Sequence, residues 1–469
     1  MINKNGTILI QALVFGAIAV FLIGGFVTWA VFNIKIARDT FRRELALNIA
    51  ESGVEYYRWH LAHDSDDYQD GTGLLGPYTH DFKDKDGNII GQFILDITSP
   101  PIGSTLVKIT STGKVNADPT ISRKVETQLA IPSWAKYAWV LNSFVNFGPT
   151  AEVFGLVHSN DGIRFDGLAH NIVSSAKETF DDPDHSGANE WGVHTHKSPI
   201  DPLPPVPAPQ RSDVFEAGRQ FPVPAVDFAG LTADLSQLKS SAQSGGRYFA
   251  GSGAQGYHII LKTNDTFDLY RVNSLVSPPG GCSGSATGWG TWSIQTGGET
   301  FLQNYSFPNN GIIFVEDKVW VNGQINSARI TIASGRFPDN PSTRTDIIVN
   351  NDLLYTNYDG QDVVGLIAQR NFNVGLRSED DLRVDAAVIA QNGRVGRFSY
   401  NSSCGTGYLR TLLTSFGMLG SNTRAAFFYG SNGYLSRTYI YDANLLYGPP
   451  PSFPLTTDQY QTISWKEIR

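Results

Sequence analysis

The chain has 469 residues, enough for one long helix and two or three globular units. Charged residues make up only 17%, the formal net charge is −8 and no Lys/Arg run occurs, which argues against a nucleic-acid partner. Gly is abundant at 47 residues and aromatics stand at 12%, a composition suited to turn-rich β-structure on an outside surface.

The first element is an uncharged run, Thr7 to Phe32, between Lys4 and Lys35. As a helix it covers about 39 Å, enough to cross a hydrocarbon core of about 30 Å. A cleaved secretory signal has a shorter apolar core and a small-residue site behind it. Val31-Phe32-Asn33-Ile34 offers no such site. Two readings stay open: a plain signal anchor, or a prepilin-type signal cut after Gly6, of which Lys4-Asn5-Gly6 before Thr7-Ile8-Leu9-Ile10 has the form.

Helical spacing continues through Ile34 to Ala62, with Ala37, Phe41, Leu45, Asn48-Ile49 and Ser52 close to one stripe. There is no Pro between Thr7 and Ala62, and one continuous helix is expected. Such a spike cannot bury its whole length in its own domain. The phrase Ala50-Glu51-Ser52-Gly53-Val54-Glu55 resembles a segment of type IV pilins. With the leader, the first 60 or so residues resemble the N-terminal helix of type IV pilus minor pilins and pseudopilins.

That resemblance implies cleavage by prepilin peptidase between Gly6 and Thr7, methylation of the new N-terminus, and packing against other pilin subunits. It implies residence in the inner membrane before assembly and an extracellular place in a pilus afterwards. The fifth mature residue would be Gln11, where major pilins usually carry Glu. A neutral side chain cannot make a buried charge pair with a neighbouring N-terminus, which points to a low-copy or tip subunit. Gly24-Gly25 permits local unwinding or close helix packing.

Strands are expected over Gly91–Thr98, Leu106–Lys114 and Ser122–Ile131, around an Asp-rich hairpin turn at Asp84–Asn88. The acidic loop Asp64–Gly71 reads as solvated charge in preference to a Ca²⁺ site. After Pro132, short apolar segments alternate with Asn, Gly and Asp. Val153–Ile163, Val363–Phe372 and Ala386–Val395 resemble one another. Rungs of about 20–25 residues point to a parallel β-solenoid, with an irregular β-sandwich as the other reading.

The expected organisation is α+β. A leader (1–6) and a transmembrane and extended helix (7–62) precede a small headgroup (63–132). The first part of a β-helix follows (133–198), then a Pro-rich linker, short helix and β-rich insertion (199–300). The main β-helix and a C-terminal strap complete the chain (301–469). The phrases Gly155–Gly167, Trp191–Pro199, Val223–Leu235 and Ser252–Leu261 resemble large exported pilin-like proteins with a β-helical body.

Cys282 and Cys404 are the only two cysteines, each in a Gly/Ser-rich loop. In an exported chain they read as one disulfide, with two free thiols as the other reading. His194 and His196 alternate at a spacing suited to a metal, after His158, His170 and His185. Hydrogen-bonded histidines in a polar turn region are the favoured reading, so no cofactor is expected. Trp289 and Trp292 fit a sugar-stacking platform or a core equally well. Glu379-Asp380-Asp381 with Arg383 and Asp385 is the one cluster suggesting a polysaccharide lyase or hydrolase, but Glu379–Asp381 reads as a solvated turn. No P-loop, G-x-S-x-G, H-E-x-x-H or C-x-x-C occurs. The expected function is therefore a non-enzymatic minor pilin acting in assembly and adhesion to a host surface or carbohydrate. The alternative is a membrane-anchored carbohydrate-active enzyme on a β-helix.

Overall fold

The structure, a computed structural model, describes residues 4–228, 231–284, 286 and 288–468. Helix α1 runs unbroken from Lys4 to His63, about 90 Å at the standard rise. Its large apolar side chains from Ile8 to Ile36 are all exposed, and it is long and apolar enough to cross a membrane. Its second half behaves differently. Ala46, Ile49, Ala50, Val54, Tyr57 and Leu61 are buried. This stripe is rotated from the expected one, since Phe41 is exposed. The sheet selects the small Ala and Gly face, because a small face lets backbones approach.

That sheet is antiparallel: β1 (Tyr78–Lys83), β2 (Ile89–Thr98), β3 (Val107–Val115), β4 (Asp118–Ala130) and β5 (Gln461–Ile468), in that order. Burial alternates along β3, as on a sheet with one covered face. The closest approach is at Gly113. A Cβ there would lie 2.0 Å from the Ala46 carbonyl oxygen and 2.6 Å from the Ala50 nitrogen. β5 corrects an expectation. The segment read as part of a strap along the solenoid pairs instead with β4, Gln461 opposite Ala130. The chain thus leaves this unit after Ala130 and re-enters it at Asp458.

Residues 100–105 and 131–457 form a second, sheet-rich unit. Its dominant feature is a continuous parallel ladder. Ile313 lies beside Ile332, then Leu366, Val388, Leu419, Trp139, Val157 and Val173. These side chains, aliphatic except for Trp139, form one stack in the core. A second parallel ladder carries Val319, Ile347, Phe372 and Val395, with a matching set at Val145, Ile163 and Val193. A third carries Gly323, Leu353 and Val384. It continues through Ser415, Tyr439, Val153 and Ala169. The chain visits the three ladders in constant rotation.

Between Ile313 and Leu419 and between Trp139 and Val173, steps in the first ladder range from 16 residues (Val157 to Val173) to 34 (Ile332 to Leu366), a wider range than the expected rung. The expected repeat pair at Val363 and Ala386 consists of adjacent strands, Gly365 opposite Ala387. The earlier copy is off by one, because Val157, not Leu156, shares the stack with Leu366.

Helix α2 (Leu231–Gly245) explains the near-continuous apolar runs. Leu235, Leu238 and Ala242 cluster with Phe314, Ala333, Ile367, Ile389 and Met418, the alternate residues of the first ladder. Both faces of those strands are buried. The segment 256–306 adds an antiparallel meander of Gly256–Lys262, Thr266–Val272 and Glu299–Ser306.

The close helix–sheet approach yields a prediction. Gly113→Ala should destabilise the headgroup by about 1–3 kcal/mol, the usual cost of overpacking. Hydrogen exchange over residues 46–61 in the full chain should rise, while exchange in the first ladder stays unchanged.

Candidate functional site

The residues singled out by sequence fall in three places. Gly6 and Thr7 lie in the first turns of α1, where the backbone alone is described. Gln11 follows one turn later on the exposed apolar segment.

The second place is a buried aromatic cluster. Cys282 and Cys404 are bonded to each other, 122 residues apart in sequence. Beside them pack Trp292, Trp320, Phe398 and Tyr400, with Trp289 partly buried. Trp292 is 9% exposed, and Lys318 sits 5.3 Å over its ring. The Trp289 Nε1–H donates to the Ser399 carbonyl. The suggested ligand-contact role for Trp292 is therefore corrected: its ring belongs to the core and presents no platform. The acidic turn is also accounted for. Asp385 is buried, and its carboxylate accepts from Tyr358 Oη (2.7 Å), Arg383 Nε (2.8 Å) and the Tyr355 amide (3.1 Å). Burial raises its pKa, and these partners only partly offset that.

The third place is a histidine region at residues 158–196, and its members differ sharply. His158 is buried and bonded to Ser174 and Asn160. Burial lowers its pKa. His170 bridges Glu216 (2.7 Å) and Glu152 (2.8 Å) through its two ring nitrogens and stacks on Phe154 at 4.0 Å. Burial opposes its charge, but the two carboxylates outweigh it and its pKa is raised.

His194 and His196 do come together, with ring centroids 5.2 Å apart. The His194 Nδ1 lies 3.0 Å from the Trp191 carbonyl. A carbonyl only accepts, so Nδ1 carries the proton. Nε2 then faces Glu190 Oε2 at 2.6 Å and Asp182 Oδ2 at 3.7 Å. His196 Nε2 lies 2.7 Å from Glu190 Oε1, and His185 Nδ1 lies 3.2 Å from the same oxygen. Burial lowers the His194 pKa, and the nearby carboxylates do not restore it. Sequence reading singled out neither Asp182 nor Glu190. The available signal was Glu190 four residues before His194 in Glu190-Trp191-Gly192-Val193-His194-Thr195-His196.

No protein-family model matches the chain, and no curated protein matches it. Among solved structures, the chain is similar to the competence-associated pilin ComZ from Thermus thermophilus. The match has 13% identity and covers 91% of this chain and 97% of that one, with a TM-score of 0.29. At that score the two folds are not equated.

Two predictions follow from these contacts. Thiol labelling of the folded, non-reduced chain should leave Cys282 and Cys404 unmodified. Cys282→Ser should then lower stability, by up to about 4–5 kcal/mol for a loop of this length. Strong labelling of both would reject the bridge.

The second concerns pH. With a raised folded pKa, the His170 pairs stabilise fully below the ordinary histidine value of about 6.5 and fade as pH rises through the folded value. Both glutamates are partly exposed, so the effect is small. Between about pH 6 and about pH 8, Tm should drop more in the wild type than in His170→Gln. Equal slopes would remove His170 from the account.

Proposed function

We propose that the chain is a minor subunit of a type IV pilus or a related filament. The observation that carries this reading is the division of α1 into an exposed apolar half and a half packed on an antiparallel sheet. A soluble domain has no use for the first half. An anchored enzyme needs only a span, not a helix that continues unbroken into the headgroup core. The leader Lys4-Asn5-Gly6 supplies the processing signal, with cleavage before Thr7. Before assembly the helix sits in the inner membrane, and afterwards it packs among those of other subunits.

The role is structural and adhesive, without catalysis. On this reading the three parallel ladders are the faces of a β-helix, and the constant rotation of the chain among them supports it. Residues 131–457 would have a radius of gyration of about 20 Å if compact. A helix thread of about 10–12 Å diameter packs readily in a filament core, but such a body crowds the next subunit. The tip leaves it room. Gln11, which cannot neutralise a neighbouring N-terminus, suits the same place. At the tip the polar turns of the body would be the first surface to meet a host or carbohydrate ligand.

Intact mass of filament-associated protein should show a chain beginning at Thr7, and Gly6→Val should leave the protein unprocessed in the membrane. Quantitative mass spectrometry of sheared pili should find far fewer copies than of the main subunit. Comparable numbers would rule out the tip. Because Gln461 pairs with Ala130, residues 131–457 can be replaced by a short turn that retains β5. That variant should be processed normally and lose attachment. Attachment at wild-type level would sink the adhesive reading.

A further inference from the structure

We propose that Asp182, Glu190, His194 and His196 bind one Zn²⁺ ion in the sheet-rich unit. One ligand atom from each lies within 4.8 Å of the other three. Four ligands around a tetrahedral zinc, at about 2.0–2.2 Å, stand about 3.3–3.5 Å apart, so only small side-chain adjustments are needed.

The decisive observation is a set of acceptors facing one another. His194 Nε2, Glu190 Oε2 and Asp182 Oδ2 are all buried, and none makes a hydrogen bond. The 2.6 Å approach of His194 to Glu190 is short in distance but lacks hydrogen-bond geometry. With its proton on Nδ1, the neutral ring aims a lone pair at two carboxylate oxygens. Unpaired buried charges of this kind are strongly unfavourable in an apolar setting. A cation at the common focus turns each repulsion into a bond. The Nδ1–H donation to the Trp191 carbonyl is the usual outer partner of a ligating histidine, fixing ring and tautomer. Ordinary ion pairing does not fill the role, because Arg164 reaches Asp182 only at 3.9 Å while bonding Asp166 at 2.8 Å.

Two other histidines, His258 and His170, give the contrast. His258 has both ring nitrogens occupied, by Glu299 (2.7 Å) and Asn322 (2.7 Å). His170 likewise donates in both directions. His194 alone of the three turns a bare nitrogen toward carboxylates. Two imidazoles with two carboxylates suit Zn²⁺. Ca²⁺ and Mg²⁺ take oxygen ligands. Side-chain exposure of 2% at His194 and Asp182, 6% at Glu190 and 10% at His196 describes a closed, structural site. His185 stands at its open side. The ion would fasten the loop 181–190 to the strand Val193–His194, which otherwise has only two residues to hold it.

The test uses the full chain in detergent, stripped with EDTA and re-equilibrated separately with ZnCl₂ and CaCl₂. After desalting, elemental analysis should find about one Zn²⁺ per chain and no Ca²⁺. Asp182→Asn combined with His196→Gln should lower retained zinc at least about tenfold. His258→Gln should keep it. Wild-type retention near zero, retention of Ca²⁺ instead, or a double variant that keeps zinc would each overturn the site. If the double variant does not fold, Co²⁺-loaded wild type decides: the visible absorption of a tetrahedral ion supports the site, and its absence rejects it.

Discussion

The apolar half of α1 governs everything else. Burying a large aliphatic or aromatic side chain is worth about 1.5–3 kcal/mol, and every such residue from Ile8 to Ile36 is exposed. Nothing in the described chain covers them. The segment is long and apolar enough to cross a membrane, and the water-facing fold starts only where Ala46, Ile49 and Ala50 meet the sheet. One helix thus carries two different surfaces, an exposed apolar half and a half packed on a sheet. The headgroup has to grip it by a small-residue face, with Gly53 and Gly113 allowing backbones to close in.

Local features of the fold were legible. The unbroken helix followed from an apolar run, good helix formers and the lack of Pro. Three of the headgroup strands followed from alternation. The repeat at Val363 and Ala386 gave adjacent strands, Gly365 opposite Ala387. What failed did so for lack of long-range information. The partner of residues 461–468 is a strand more than 300 positions earlier, and no local pattern encodes that choice. The one-residue slip at Leu156 matters because a shift of one residue in a strand exchanges faces. The buried stripe of α1 was misplaced because Ala and Gly carry little hydropathy signal, although they determine how near the sheet can come.

The candidate sites were legible to different degrees. Two cysteines in matching loops are a strong local signal, and the structure joins them. The alternation of His194 and His196 was also visible, yet spacing alone could not separate a ligand pair from ordinary hydrogen-bonded histidines. That distinction lies in which nitrogen is free and what it faces. It depends on the carbonyl of Trp191 and on Asp182, delivered by a loop whose path the sequence does not give. Trp292 shows the converse. A tryptophan in a Gly/Ser-rich loop looks exposed, but the bridge and Tyr400 fold that loop inward.

The path of the second unit has a physical rationale. Its chain enters the stack in the middle, at Trp139, and builds rungs in one direction as far as Gln220. It then crosses by way of α2 to the far end and builds back, until Leu419 meets Trp139. Had the stack grown from one end, its entry and exit would stand apart by the whole ladder, at about 4.8 Å per rung. Growth from the middle leaves the last strand, Gly433–Tyr441, paired with Ala151–Phe154 close to the point of entry. An insertion between two hydrogen-bonded strands, β4 and β5, needs ends that lie close together. Joining distant ends would strain the Ala130–Gln461 pairing, and a long flexible tether would add closure entropy. The rung order thus resolves a conflict that the headgroup imposes: the chain enters and leaves the second unit at neighbouring places, with Ser133 bridged to Leu455.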